Sequence, residues 1–372
     1  MIPRTFTAGM LALLALISLL GASSAGAQTY TVTDLGSLGT YETFAFAVND
    51  SSRVAGYSYV PLVPGPGFTR HAFLWQKGQM QDLGLLPGGT YSWGTDINEV
   101  GQVSGFADDV NIYGRPTVYR NGAMEDLGLT TTLGGESRGI NNLTEIAGYF
   151  VTNTYGTHAT YWSDATSFVD LTTATAGTAG VAEDLNDHTQ LVGWSHGAPC
   201  GAFIYPRGAL WEDPGTGWTV TDLAPVSGHC MSHAWDINDA GLVVGESGAF
   251  SGVAVKWQKS ALGVWQVATL GSLGGTASLA DAVNNRSQIV GQAQIAGGAN
   301  HAFLWQCGSM IDLNSRIPAS SGWVLTAATG INDLGQIVGY GKLNGGNYRG
   351  FLLKPGAEIC CKAAAVPVDD QP

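Results

Sequence analysis

The chain has 372 residues, with 16 lysines and arginines against 29 aspartates and glutamates and a formal net charge of −13 at pH 7. An acid excess of this size repels phosphate backbones and excludes nucleic acid as a partner. With only 12% charged residues and 53 glycines, the composition suits short strands joined by turns rather than helices or a disordered acidic tail.

At the N-terminus, Arg4 precedes an apolar stretch from Met10 to Leu20, and Ala25-Gly26-Ala27 supplies a small-x-small cleavage pattern. The stretch falls short of the roughly 20 residues that span a bilayer. A secretory signal over residues 1–27 is therefore expected, with Gln28 as the mature N-terminus and an extracellular or periplasmic destination. No second apolar run of spanning length follows, so no transmembrane segment is expected in the mature chain.

From Tyr30 onward one unit recurs seven times, its turn element reading AVNDSSRVAG (47–56), DINEVGQVSG (96–105), GINNLTEIAG (139–148), DLNDHTQLVG (184–193), DINDAGLVVG (236–245), AVNNRSQIVG (282–291) and GINDLGQIVG (330–339). The closing glycines recur every 43 to 52 residues. Each unit holds four strand signals; in the sixth they are Ala280–Asn284, Gln288–Gly291, His301–Trp305 and Ser309–Leu313. Asn-Asp and Asn-Asn pairs with glycine mark the tight turn between the first two strands, because these side chains bond their own backbone and glycine accepts positive φ. Four antiparallel strands in such a period predict a β-propeller blade. The last repeat lacks a fourth strand, whereas the chain begins with an orphan one, Tyr30 to Leu35. Pairing that segment with Gly350–Leu353 closes the ring and removes both bare edges. The expected fold is all-β: a seven-bladed propeller over residues 28–355, with a tail over 356–372.

The third strand opens His71-Ala72-Phe73 and His301-Ala302-Phe303, with His158-Ala159-Thr160, Gly201-Ala202-Phe203 and Arg349-Gly350-Phe351 as eroded copies. The mature chain thereby resembles the bacterial extracellular proteins named after this His-Ala-Phe (HAF) repeat. The resemblance implies location and architecture and carries no activity with it. Many such proteins end in a sorting anchor, and the tail Cys360–Pro372 lacks the apolar helix an anchor needs, which implies release or periplasmic residence.

The first-to-second and third-to-fourth connections are short. The other two are long and share the opposite face, including 57–70, 107–115, 172–180 and 224–232. The first strands start at that face beside the axis, so Phe46, Trp93, Thr95, Glu136, Arg138, Glu183, His233, Trp235 and Asp281 are expected around its mouth. Of these, Phe46, Trp93, Arg138, Glu183, His233, Trp235 and Asp281 are the candidate ligand contacts. Packing or plugging of the channel by the same side chains is the alternative.

Other motifs have plainer readings. Gly193-Trp194-Ser195-His196-Gly197 fits the G-x-S-x-G elbow but lies at the end of a strand with no helix to follow. His71, His158 and His301 occupy one position in different blades and cannot converge, so a repeated structural hydrogen bond is expected. The tryptophans Trp75, Trp162, Trp211, Trp257 and Trp305 mark packing between blades. His196, Cys200, His229, Cys230 and His233 cluster in neighbouring loops, where zinc is conceivable but a Cys200–Cys230 disulfide suits an oxidising compartment. Cys307 is expected to pair with Cys360 or Cys361. No metal or cofactor motif stands out, and a monomer is expected.

The resulting functional expectation is a secreted, non-catalytic binding or surface-interaction propeller, its ligand a glycan, another polar small molecule or a protein. The alternative is a glycan-active hydrolase or lyase with Glu136, Glu183 and Asp281 as acid/base residues.

Overall fold

The computed structural model describes residues 28–356 except 63–64, 112–113, 129–132, 153–155, 165–166, 175–178, 201–202 and 249–251. The predicted signal segment 1–27 and the tail with Cys360 and Cys361 lie outside the described residues.

Seven four-stranded antiparallel sheets make up the molecule. Their first strands are Thr43–Val48, Ser92–Ile97, Gly134–Ile140, Gly180–Leu185, Ser232–Ile237, Gly274–Val283 and Trp323–Ile331. Each first strand touches the first strands of both neighbouring blades, and the last touches the first, so the seven form a closed ring around an axis. The seventh sheet takes its outer strand from the N-terminus. Tyr30–Asp34 pairs antiparallel with Tyr348–Pro355, Val32 opposite Leu353 and Asp34 opposite Phe351. Tyr30 and Leu35 are buried by that pairing.

Between the sheets lies the core. Trp162, Trp211 and Trp257 are fully or almost fully buried. Each packs across a blade boundary: Trp211 meets Ala147 and Ala159 of the third blade, and Trp257 meets Val192 and Leu210 of the fourth. Trp75 meets Val338 and Leu352 of the seventh blade, across the closure. The repeated histidines make a repeated bond. Nδ1 of His71, His158 and His301 lies 2.8, 2.9 and 2.7 Å from Oδ2 of Asp82, Asp170 and Asp312, tying third strand to fourth.

Strands run further than the sequence indicates. In the first blade Val54–Pro61 and Phe68–Gln76 stay paired out to Pro61 and Phe68, which turns most of the expected loop 57–70 into hairpin. The fourth blade does the same with Leu191–Cys200 and Phe203–Glu212, and this displaces one repeat copy. Ala209 stands opposite Asp222 there, as Phe73 stands opposite Asp82. The tripeptide position is thus held by Arg207-Gly208-Ala209, and Phe203 sits at the hairpin end, paired with Cys200. Gly193 to Gly197 lie within this strand, so Ser195 is not on an elbow. The hairpin is tied to the next blade by a Cys200–Cys230 disulfide, with Cα atoms 5.6 Å apart. Cys307 is also disulfide-bonded, and the predicted partners lie outside the described residues.

Candidate ligand site on the axis

The site is built by a defect repeated in every blade. The pairing of first with second strand slips at Phe46, Thr95, Arg138, Glu183, Trp235, Asp281 and Thr329, one equivalent position in each blade, with a further irregularity nearer the strand start in the sixth and seventh blades. A β-bulge leaves one residue without a ladder partner and re-aims its side chain. It also explains the closing glycines of the repeat. A Cβ on Gly56, Gly105, Gly148, Gly193, Gly245, Gly291 or Gly339 would collide with the carbonyl oxygen two residues before the bulge. Seven glycines are therefore needed to seat seven bulges, and the bulges set the level at which side chains line the axis.

Three residues beyond each bulge stands the turn asparagine: Asn49, Asn98, Asn141, Asn186, Asn238, Asn284 and Asn332. Each donates its Nδ2 to the backbone carbonyl of the next asparagine at 2.8–3.2 Å, and Asn332 donates to Asn49. Each Oδ1 accepts the amide four residues on at 2.9–3.0 Å, closing its own turn. A second ring surrounds the first. The backbone amides of Asp50, Glu99, Asn142, Asp187, Asp239, Asn285 and Asp333 each donate to the side chain of the next of these residues, at 2.8–3.0 Å, again without a break. The asparagines' turn role is visible in sequence; the ring between blades is not. Its available signal is that asparagine stands at all seven turns, since only a side chain with both acceptor and donor serves both bonds.

These rings frame a cavity of about 530 Å³, lined by the turn residues and, further in, by Phe46, Glu183, Trp235 and Asp281. This cavity opens at the short-turn end of the axis, whereas the sequence points to the long-loop mouth, where His233 lines a smaller cleft of about 90 Å³ with Trp194, Ser232 and Glu246. Between rings and bulges sit Asp96, Asp184 and Asp236. They keep part of their surface exposed to the channel, yet protein surrounds them closely. Burial pushes Asp96 up to about 6, with the Asp236 charge adding to it and the amides of Ile140 and Ile97 opposing. Burial likewise raises Asp236, and it raises Asp184 well above the carboxylate range; these two carboxyls hydrogen-bond each other.

Toward the long-loop end the predicted residues interlock. Trp93 Nε1 donates to Glu136 Oε1 at 2.7 Å, and Tyr149 Oη to Glu136 Oε2 at 3.3 Å. Arg138 bridges Glu136 at 3.1 Å and Glu183 at 3.6 Å. His233 Nε2 lies 2.9 Å from Glu183 Oε1, and its ring stacks on Trp235 at 3.9 Å. Trp93 stacks on Phe106 at 4.2 Å, with the Arg70 guanidinium 4.5 Å from its ring. Burial raises Glu136 despite Arg138 and Trp93. Burial also acts upward on Glu183, but the His233 hydrogen bond and the Arg138 charge outweigh it and hold that carboxyl below its usual range. Thr95 and Thr329 donate to carbonyls of the following blade, Ser137 at 2.9 Å and Ala45 at 2.7 Å.

Thus Trp93, Glu136, Arg138, Glu183, His233 and Trp235 form one continuous network over four blades. Phe46 packs instead on Tyr57 at 5.6 Å. Asp281 stands apart, its Oδ2 and the Nε1 of Trp235 buried without hydrogen-bond partners among the described residues. Burial, then the nearby Glu246 charge, raises Asp281 well above the carboxylate range. Of the predicted zinc donors, His229 bonds Ser247 at 3.0 Å and His233 bonds Glu183. No group of metal-ligating residues occurs among the described residues.

No family model matches the chain, and neither does any curated protein. Among solved structures it is similar to the β-propeller domain of the Trilobed protease from Pyrococcus furiosus, at 10% identity and a TM-score of 0.53, over 84% of this chain and 97% of that one. It also aligns with TolB from Acinetobacter baumannii at 11% identity and a TM-score of 0.45, over 82% of this chain and 64% of TolB. A gluconolactonase from Xanthomonas campestris aligns at 8% identity and a TM-score of 0.43, over 88% and 90%. Identities this low speak to the fold alone, and the fold is a β-propeller.

Proposed function

We propose that this protein is a non-catalytic binding propeller that works outside the cytoplasm and takes a polar ligand into its axial cavity. The observation that carries the reading is that two of the three carboxylates suggested for catalysis, Glu136 and Glu183, are already engaged by protein groups. Both oxygens of Glu136 and both of Glu183 are engaged by Trp93, Tyr149, Arg138 or His233. An acid/base pair must reach a scissile bond and must have its two members pushed apart in pKa. Glu136 and Glu183 do differ in this way, one raised and the other lowered, but the Arg138 guanidinium bridges them at 3.1 and 3.6 Å and occupies the place a scissile bond would need.

The scaffold suits binding. Two closed hydrogen-bonded rings hold the cavity walls, and pre-organised walls lower the cost of capture. Secretion is supported by Arg4, the apolar stretch 10–20 and the Ala25-Gly26-Ala27 pattern, and the HAF-like repeat agrees with it. Among the described residues no helix is long and apolar enough to cross a membrane.

The test is a screen of the processed protein against glycans and polar metabolites, scoring retention and consumption of each compound in the same wells. Saturable retention without consumption is expected. Consumption of any compound that Glu183→Gln abolishes would establish the hydrolase instead.

A further inference from the structure

The wall of the axial cavity carries ten carboxyl residues and no lysine, arginine or histidine. Five of the carboxylates (Asp50, Glu99, Asp187, Asp239 and Asp333) stand in the outer ring, each taking one backbone amide. Further in, Asp96 takes two amides, and Glu183 takes His233 and Arg138. Asp281 is different. Its Oδ2 exposes less than 1 Å² and meets no donor among the described residues, and on the adjacent blade the indole N–H of Trp235 meets no acceptor. A buried carboxyl oxygen left without a donor is costly, and the cavity meets Asp281 and Trp235 through the parts of their side chains that stay exposed.

We propose that the axial cavity is a site for an organic cation, an aliphatic di- or polyammonium ion with one ammonium group on Asp281 and the rest directed to the outer ring. The proposal rests on the binding reading above and names its ligand class. The charge of the wall disfavours anions, and a neutral sugar would leave that charge uncompensated. A bare metal ion fits less well, because no metal-ligating group is assembled among the described residues. Trp235 and Phe46 add aromatic faces that attract alkylammonium groups. The volume, about 530 Å³, lies within the range of small-molecule sites.

Binding should also expel protons. Glu246 and Tyr340 face Asp281, with His233 beyond Glu246 and Tyr348 beyond Tyr340, while Asp96, Asp184 and Asp236 face one another. An ammonium ion favours the ionised form of each carboxyl, so affinity should rise with pH.

Isothermal titration of the processed chain with spermidine tests this, with calcium chloride and maltose as parallel probes. One saturable spermidine site is expected, at least tenfold tighter at pH 8 than at pH 5.5. Asp281→Asn should weaken it at least tenfold, and Asp213→Asn on the outer surface should leave it unchanged. If Asp281→Asn does not fold, Trp235→Leu is expected to weaken binding in the same way. Weak multisite binding that both Asp variants share equally, or full displacement of spermidine by equimolar calcium, would overturn the proposal. Saturation by maltose with no spermidine site would overturn the ligand class while leaving the binding propeller standing. Turnover of maltose would defeat that underlying reading instead.

Discussion

At the scale of single residues the turns carry a strain the sequence only partly shows. The third residue after each ring asparagine has positive φ; it is glycine at Gly101, Gly241 and Gly335 but threonine at Thr144 (φ 66°) and Thr189 (φ 57°). A β-branched residue is costly in this left-handed region. Thr144→Gly should therefore raise the unfolding free energy by up to about 1 kcal/mol in urea titrations. Asn186→Asp should act the other way. It replaces the donor to the Asn238 carbonyl by an acceptor and should cost about 2–3 kcal/mol at pH 7. The axial aspartates add a pH dependence. Asp96 has its folded value raised to about 6, so the folded protein binds more protons than the unfolded chain from about pH 4 to about pH 6. Stability is retained below that window and lost as pH rises through it, by about 3 kcal/mol for Asp96 alone. Asp184→Asn keeps a hydrogen bond to Asp236 and removes one such carboxyl. Urea melts at pH 4 and pH 8 should show it neutral at the first and stabilising by about 1–2 kcal/mol at the second. None of this proton chemistry was legible from residue type, because aspartate in a DIN or DLN turn reads as turn chemistry until the ring brings three of them together.

At the scale of strands and turns, the sequence pattern marked what each element does to itself and missed what it does to its neighbour. Tight turns and β-rich runs located the strands. The bulges left no separate mark, because an extra residue inside an alternating stretch resembles ordinary irregularity. Their trace is the glycine opposite. Gly148→Ala should clash with the Glu136 carbonyl and cost about 1–3 kcal/mol or more, whereas a glycine with open space around it gives no such collision. The long-loop hairpins leave little mark in the sequence either: polar pairs such as Tyr59 with Arg70 continue the ladder where composition indicates loop. The fourth-blade hairpin depends on its staple. Cys200→Ser with Cys230→Ser should lower stability by about 2–4 kcal/mol by thermal melts, with the hairpin tip becoming the first site of proteolysis.

At the scale of the whole molecule, the period of the repeat and the orphan strands at the two ends were enough to predict the ring, its seven blades and its closure. Closure by Tyr30–Asp34 is a single joint on which all the inter-blade rings depend. Deleting 28–35 bares the edge of Tyr348–Pro355 and removes the buried Tyr30 and Leu35. The truncated chain should aggregate or lose its cooperative melt, as monitored by light scattering during heating. What the period could not reveal is which end of the axis stays open, since that depends on side chains meeting across blades. Arg138 joins Glu136 to Glu183 only because two adjoining repeats place those residues at neighbouring bulges and strand starts. The central claim, a ligand held in the axial cavity at the short-turn end, is tested most directly by a crystal structure of the protein with the tightest compound found by the binding screen. Ligand density is expected between Trp235 and Asp281, inside the asparagine ring, with the Glu136–Arg138–Glu183–His233 network undisturbed. Density confined to the long-loop face or the outer clefts, with the axial cavity unchanged, would contradict it.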